Sequence, residues 1–208
     1  MGQHCRSANR ASDQASQLVR LECQAHLIIV SSMPHGRKGE KPLENSTPPV
    51  VVMGVAGSGK TVVGSALAKT LHVAFIEGDD LHPPENVAKM ARGEPLNDEE
   101  RVGWLDAVGR SIREKGNAVA ACSALKRRYR DQLRNLNPSL VFVYLAIDPD
   151  TSRQRVGGRK GHFMPASLVE SQFAALEPPG GDEAAYTLNG LLPVAELVAA
   201  AAAFLRKA

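Results

Sequence analysis

Long apolar runs are missing from this 208-residue chain, and none approaches the roughly 20 residues of a membrane-spanning helix, so no membrane partner is expected. Strong charge of one sign is missing too. The formal net charge is only +3, which does not suit a general nucleic-acid surface. Cysteine is scarce: Cys5, Cys23 and Cys122 are an odd count without metal-ligand spacing, as suits a reducing, cytoplasmic setting. No internal repeat is found. What is there, 43% hydrophobic and 23% charged residues, fits an α/β domain of ordinary size with some chain left over.

The surplus lies at the start. Residues 1–47 are polar and rich in Ser, Gln, Arg and Gly, and they run into a Gly- and Lys-containing stretch that reads as a linker. They are expected to be a disordered or non-native extension, with residues 48–208 forming the folded domain. Within that domain, Val50–Met53 is an apolar run of the kind buried in parallel sheets. It leads into Gly54-Val55-Ala56-Gly57-Ser58-Gly59-Lys60-Thr61, which matches the phosphate loop G-x-x-x-x-G-K-[ST] at every fixed position. Glycines let successive N–H groups converge on phosphate oxygens, Lys60 supplies a charge for the β- and γ-phosphates, and the Thr61 hydroxyl can ligate Mg²⁺. Val63, Leu67 and Leu71 then mark one face of a helix.

Strands and helices alternate from there. Strands are expected at Val73–Ile76, Ala118–Cys122 and Leu140–Ile147, with a weak last one at Ala184–Gly190, poor in β-branched residues. Asn97 with Glu100 reads as a capping box, and Asp148-Pro149 as another helix start. Helices are also expected at Arg127–Leu136, Pro165–Leu176 and Val194–Leu205. The alternation implies a parallel sheet with helices on both faces. The chain has neither the Asn-Lys-x-Asp that reads guanine nor the Leu-Ser-Gly-Gly of an ABC-type ATPase.

Five motifs carry a more specific likeness: the phosphate loop; Glu77-Gly78-Asp79-Asp80-Leu81-His82-Pro83; Gly93–Asp98 with Trp104; Cys122–Lys126 with Tyr129 and Arg130; and Arg159–Phe163 with Gln172 and Phe173. In that order and spacing the chain resembles the gluconate kinase (gluconokinase) family over about Val50 to Pro178. The resemblance implies a P-loop kinase fold of the nucleoside-monophosphate-kinase type, with a five-stranded parallel sheet and a small lid at about 156–165. It also implies a homodimer that moves the γ-phosphoryl of ATP to the 6-hydroxyl of D-gluconate. The rival readings are another P-loop small-molecule kinase, shikimate-like, and a non-catalytic nucleotide-binding regulator.

That chemistry needs a proton acceptor, Mg²⁺ and cations around the transferring group. Asp79 is expected to orient or deprotonate the acceptor hydroxyl, with Glu77 or Asp80 assisting at Mg²⁺ through water. His82, Lys126 and Arg130, with the Ser123 hydroxyl, are the candidates for the sugar acid, Lys126 and Arg130 sharing a helix face. Arg155 and Arg159 are the candidate lid cations for the phosphates. Cys122 reads as a small buried strand residue, and Trp104 and Phe173 as core or pocket lining.

Overall fold

The structure, a computed structural model, describes residues 47–158 and 168–207. Strand β1 (Val50–Met53) is buried along its whole length and sits in the middle of a five-stranded, all-parallel sheet. The others are β2 (Ala74–Glu77), β3 (Ala118–Ala121), β4 (Val141–Ala146) and β5 (Ala185–Asn189), in the order β2-β3-β1-β4-β5. Side chains alternate across a strand, so β1 serves two cores. Val51 and Met53 join the layer under α3 (Asp98–Lys115) and α4 (Arg127–Leu136), where Trp104, Leu105, Ile112 and Leu133 are buried. Val50 and Val52 face the opposite layer, built from α1 (Lys60–Leu71) and α7 (Val194–Leu205), where Leu67, Leu197 and Ala201 are buried.

Local chemistry sets the element ends. The capping box forms as expected: Glu100 N–H donates to Asn97 Oδ1 at 2.8 Å, and Asn97 N–H to Glu100 Oε2 at 2.7 Å. Helix α2 (Pro84–Ala91) begins on the Pro pair, and α5 (Pro149–Gly157) begins at Asp148, which accepts from Thr151 N–H at 2.8 Å. Helix α6 spans Leu168–Ala175; the first three residues of the helix expected from Pro165 lie outside the described residues. The weak last strand does form. Five register pairs with β4 hold it, from Phe142–Ala185 to Ala146–Asn189, and Tyr186 stacks on Phe204 of α7. Pairing and packing outweigh its low propensity.

The strand order places a cleft at the C-terminal edge of the sheet, where the loops after β1, β2 and β3 meet, as the rule for open α/β sheets requires. Met90, Leu96 and Leu168 form a small third apolar cluster that lines it. No helix among the described residues is long and apolar enough to cross a membrane.

Candidate active site

The loop after β1 is held from several sides. Gly54 N–H donates to the Ser123 carbonyl after β3, at 3.4 Å. Gly54, Gly57 and Gly59 have φ of 144°, 76° and 94°. At Gly57 a Cβ would stand 3.0 Å from the Ser152 carbonyl and 3.3 Å from the side chains of Arg155 and Val156, so only glycine fits that turn. Ala56 is gripped at both polar groups. Its N–H donates to Gln172 Oε1 and its carbonyl accepts from Ser152 Oγ, each at 2.7 Å. Arg155 Nη1 donates to the carbonyls of Gly57 and Gly190 at 3.3 and 3.2 Å. Lys60 Nζ donates to the Val55 carbonyl at 3.0 Å. Helix α1 opens without a side-chain cap or an acid in its first turn, so its N–H groups and positive dipole end suit an anion. The buried Ser58 Oγ has no hydrogen-bond partner among the described residues and belongs to the same cradle.

Facing the loop is the acidic turn after β2. Glu77 accepts a hydrogen bond from Thr61 and a long one, 3.5 Å, from Asp79 N–H. Burial raises its pKa above the usual carboxylate value, the Thr61 bond opposes that, and the Asp79 charge adds to it. Asp79 lines the cleft beside Lys60 and Thr61, whereas Asp80 is exposed and does not. The Thr61 hydroxyl with the Glu77 carboxylate it bonds fits Mg²⁺, which takes few protein ligands and completes its shell with phosphate and water. No group of three or more His, Cys, Asp or Glu side chains placed to hold a metal ion exists among the described residues.

The rest of the cleft is lined by His82, Arg101, Ser123, Leu96 and Ser171, among others. His82 stacks on Trp104 with ring centroids 4.1 Å apart, and Trp104 Nε1 donates to the Gly78 carbonyl at 2.7 Å. Trp104 thus belongs to the core and also props a pocket wall. Burial, helped by the charge of Arg101, outweighs the attraction of Asp79 and brings the His82 pKa down to about 4. His82 is therefore a neutral hydrogen-bonding group at ordinary pH.

A phosphate cradle, a facing acid and a cleft with polar lining narrow the family, and comparison decides it. Over 137 residues the chain is 49% identical to the thermoresistant gluconokinase of Escherichia coli, covering 64% of this chain and 78% of that protein. It is 47% identical over 145 residues to the gluconokinase of Gluconobacter oxydans, covering 68% and 82%. The chain belongs to the gluconokinase family. Among solved structures, a gluconokinase from Sinorhizobium meliloti superposes with a TM-score of 0.71 at 45% identity, covering 77% of this chain and 93% of that one. The model of the shikimate kinase family matches residues 56–175. A shikimate kinase from Aquifex aeolicus, at 14% identity and TM-score 0.56, shares the fold.

Against this gluconokinase-family frame, the structure brings Lys60, Thr61, Asp79, His82 and Ser123 into one cleft. Two expectations are corrected. Arg130 is fully buried and does not reach the cleft. Its Nε and Nη2 donate to Glu183 at 2.7 Å each, and its Nη1 donates to the carbonyls of Ala124, Leu125 and Glu177. It braces the turn after β3, where Ala124 has a φ of 43°, a left-handed conformation that costs energy in a non-glycine residue. Lys126 does not share its helix face, because it precedes α4 as the N-cap and donates to Asp98 Oδ1 at 2.8 Å. Asp98 also takes short bonds from Arg128 and Tyr129, which leaves Lys126 largely neutralised in an adjoining hollow. Cys122 is buried as expected, and desolvation pushes its thiol up to about 12. Arg159 and most of the expected lid lie outside the described residues.

Sequence reasoning missed Arg101. It follows Asp98-Glu99-Glu100, so the local charge pattern reads as a solvated helix end. The usable signal was the helix frame: the capping box fixes the start of α3, and Arg101 lies three residues before Trp104, on the same side of the helix.

Proposed function

We propose that this chain transfers the γ-phosphoryl of ATP to the 6-hydroxyl of D-gluconate, giving 6-phospho-D-gluconate and ADP. The observation that carries the reading is the facing of Asp79 and the Lys60–Thr61 end of the phosphate loop across one cleft, in a chain close to half identical to gluconokinases. Asp79 orients the 6-hydroxyl and accepts its proton as the oxygen attacks the γ-phosphorus. The new O–P bond forms while the bond to the β-bridging oxygen breaks, and ADP leaves with that electron pair. Lys60 and the N–H groups opening α1 offset charge on the phosphate oxygens. Thr61 and Glu77 would hold Mg²⁺, which supplies charge neutralisation at the β- and γ-oxygens when bound. His82 and Ser123 hydrogen-bond the sugar hydroxyls as neutral groups. Arg155 steadies the phosphate loop by donating to the Gly57 and Gly190 carbonyls. A cytoplasmic homodimer completes the reading, and sedimentation of the purified chain tests the dimer.

A coupled ADP-release assay with gluconate, shikimate, glucose and nucleoside monophosphates tests the substrate. Turnover should be confined to gluconate and near analogues; preference for shikimate, or ATP binding without turnover, would overturn it. In the same assay Asp79→Asn should lower kcat by about 10²-fold or more, as for loss of a positioned base. A change confined to KM would make Asp79 a binding residue only.

A further inference from the structure

A sugar acid brings its own charge into the cleft, and a carboxylate taken from water needs a hydrogen-bonding cation to offset its desolvation. Among the described residues, the cations around the cleft can be assigned one by one, Arg155 to the carbonyls of Gly57 and Gly190. Lys60 belongs to the phosphate loop and bonds the Val55 carbonyl. Lys126 and Arg128 are paired with Asp98, and Arg130 with Glu183. His82 is neutral. Arg101 is different: it lines the cleft and also the adjoining hollow, and among the described residues no carboxylate pairs with it. Its guanidinium lies 5.8 Å from the centroid of the Tyr129 ring, a contact that steadies it without neutralising it.

We infer that Arg101 is the specificity-determining residue for the substrate carboxylate, holding the acid end of the sugar while the 6-hydroxyl is presented to Asp79. The inference rests on the sugar-acid reading above and deepens it. The layout along the cleft supports it. Asp79, His82 and Arg101 all line the same cleft. An extended six-carbon acid has its carboxylate and its 6-hydroxyl at opposite ends, so a cation and an acid in one cleft can engage both. Arg101 is held in place through α3. The Asn97–Glu100 capping box fixes the helix start, Trp104 is buried three residues on, and Asp98 ties the same turn to Lys126, Arg128 and Tyr129. An arginine guanidinium gives two parallel N–H donors to a carboxylate, which an ammonium cannot reproduce.

The test measures binding of D-gluconate, of its neutral amide D-gluconamide, and of a non-hydrolysable ATP analogue, by calorimetry, to the full chain and to Arg101→Met and Arg101→Lys. The wild type should bind gluconate more tightly than gluconamide. Arg101→Met should weaken gluconate binding by about 10- to 100-fold, the worth of hydrogen bonds to a charged group. Its affinity for gluconamide and for the nucleotide should stay within about twofold of wild type. Arg101→Lys should recover only part of the loss. Equal weakening of gluconate and gluconamide would reassign Arg101 to structure, and weakened nucleotide binding would reassign it to the phosphates; either overturns the inference, as does unchanged gluconate binding. Failure of the parent reading shows elsewhere, as a wild-type chain that does not bind gluconate.

Discussion

Glu183 accepts hydrogen bonds from Arg130 and Arg134 and from the Gly180 N–H, in a place where its side chain is 1% exposed. Burial works to raise its pKa, yet the bonds from the two arginines win and hold it at about 2. Its folded pKa lies below the ordinary 4.5, so its contribution to stability is full above about pH 4.5 and is lost as pH falls toward 2. Glu183→Gln leaves the Arg130 charge buried without its counter-ion, and should cost about 3–5 kcal/mol at pH 7. The urea midpoint checks this, with the denaturant slope unchanged. The gap between wild type and variant should narrow as the buffer is acidified through that window. An i,i+4 spacing of Lys126 and Arg130 shows none of this, because the partner that claims Arg130 is 53 residues away.

Helix α3 links folding to the cleft. Its first turn carries the capping box, its second begins at Arg101, and Trp104 stacks beneath His82. Asn97→Ala should cost about 1 kcal/mol of stability, the usual worth of such a cap. It should also raise KM for the sugar acid more than KM for ATP, because the frayed turn adjoins Arg101 and lies away from the phosphate loop; steady-state kinetics with each substrate varied in turn reads this. Elements whose ends are set locally were legible in the sequence. The capping box, the proline start of α5, and the glycine loop between β1 and α1 all rest on neighbours a few residues apart. Strand β5 was legible only faintly, since its pairing with β4 and its Tyr186–Phe204 stack are long-range terms. The turn at Ala124 was not legible at all, because Arg130 and Glu177 hold it from elsewhere.

At the scale of the molecule, β1 joins two apolar layers through alternate residues, so neither layer can loosen without exposing part of the strand it shares with the other. Leu67→Ala in one layer and Leu105→Ala in the other should each lower stability by about 2–5 kcal/mol. Both should shift a single cooperative unfolding transition, followed by tryptophan fluorescence and far-ultraviolet dichroism together. Two separable transitions would show that the layers fold independently. The layered α/β class follows from alternating strands and helices in the sequence, and the phosphate half of the site from one contiguous motif. The rest of the cleft is assembled from α3, the turn after β2 and the loop after β3, and only the fold brings these together. The grip on Ala56 carries one more consequence. Ser152 on α5 and Gln172 on α6 seize opposite sides of a single peptide unit pair, so the two helices flanking residues 159–167 share a fulcrum with the nucleotide's cradle. A change at either helix therefore reaches the phosphate loop through a single hydrogen bond to Ala56.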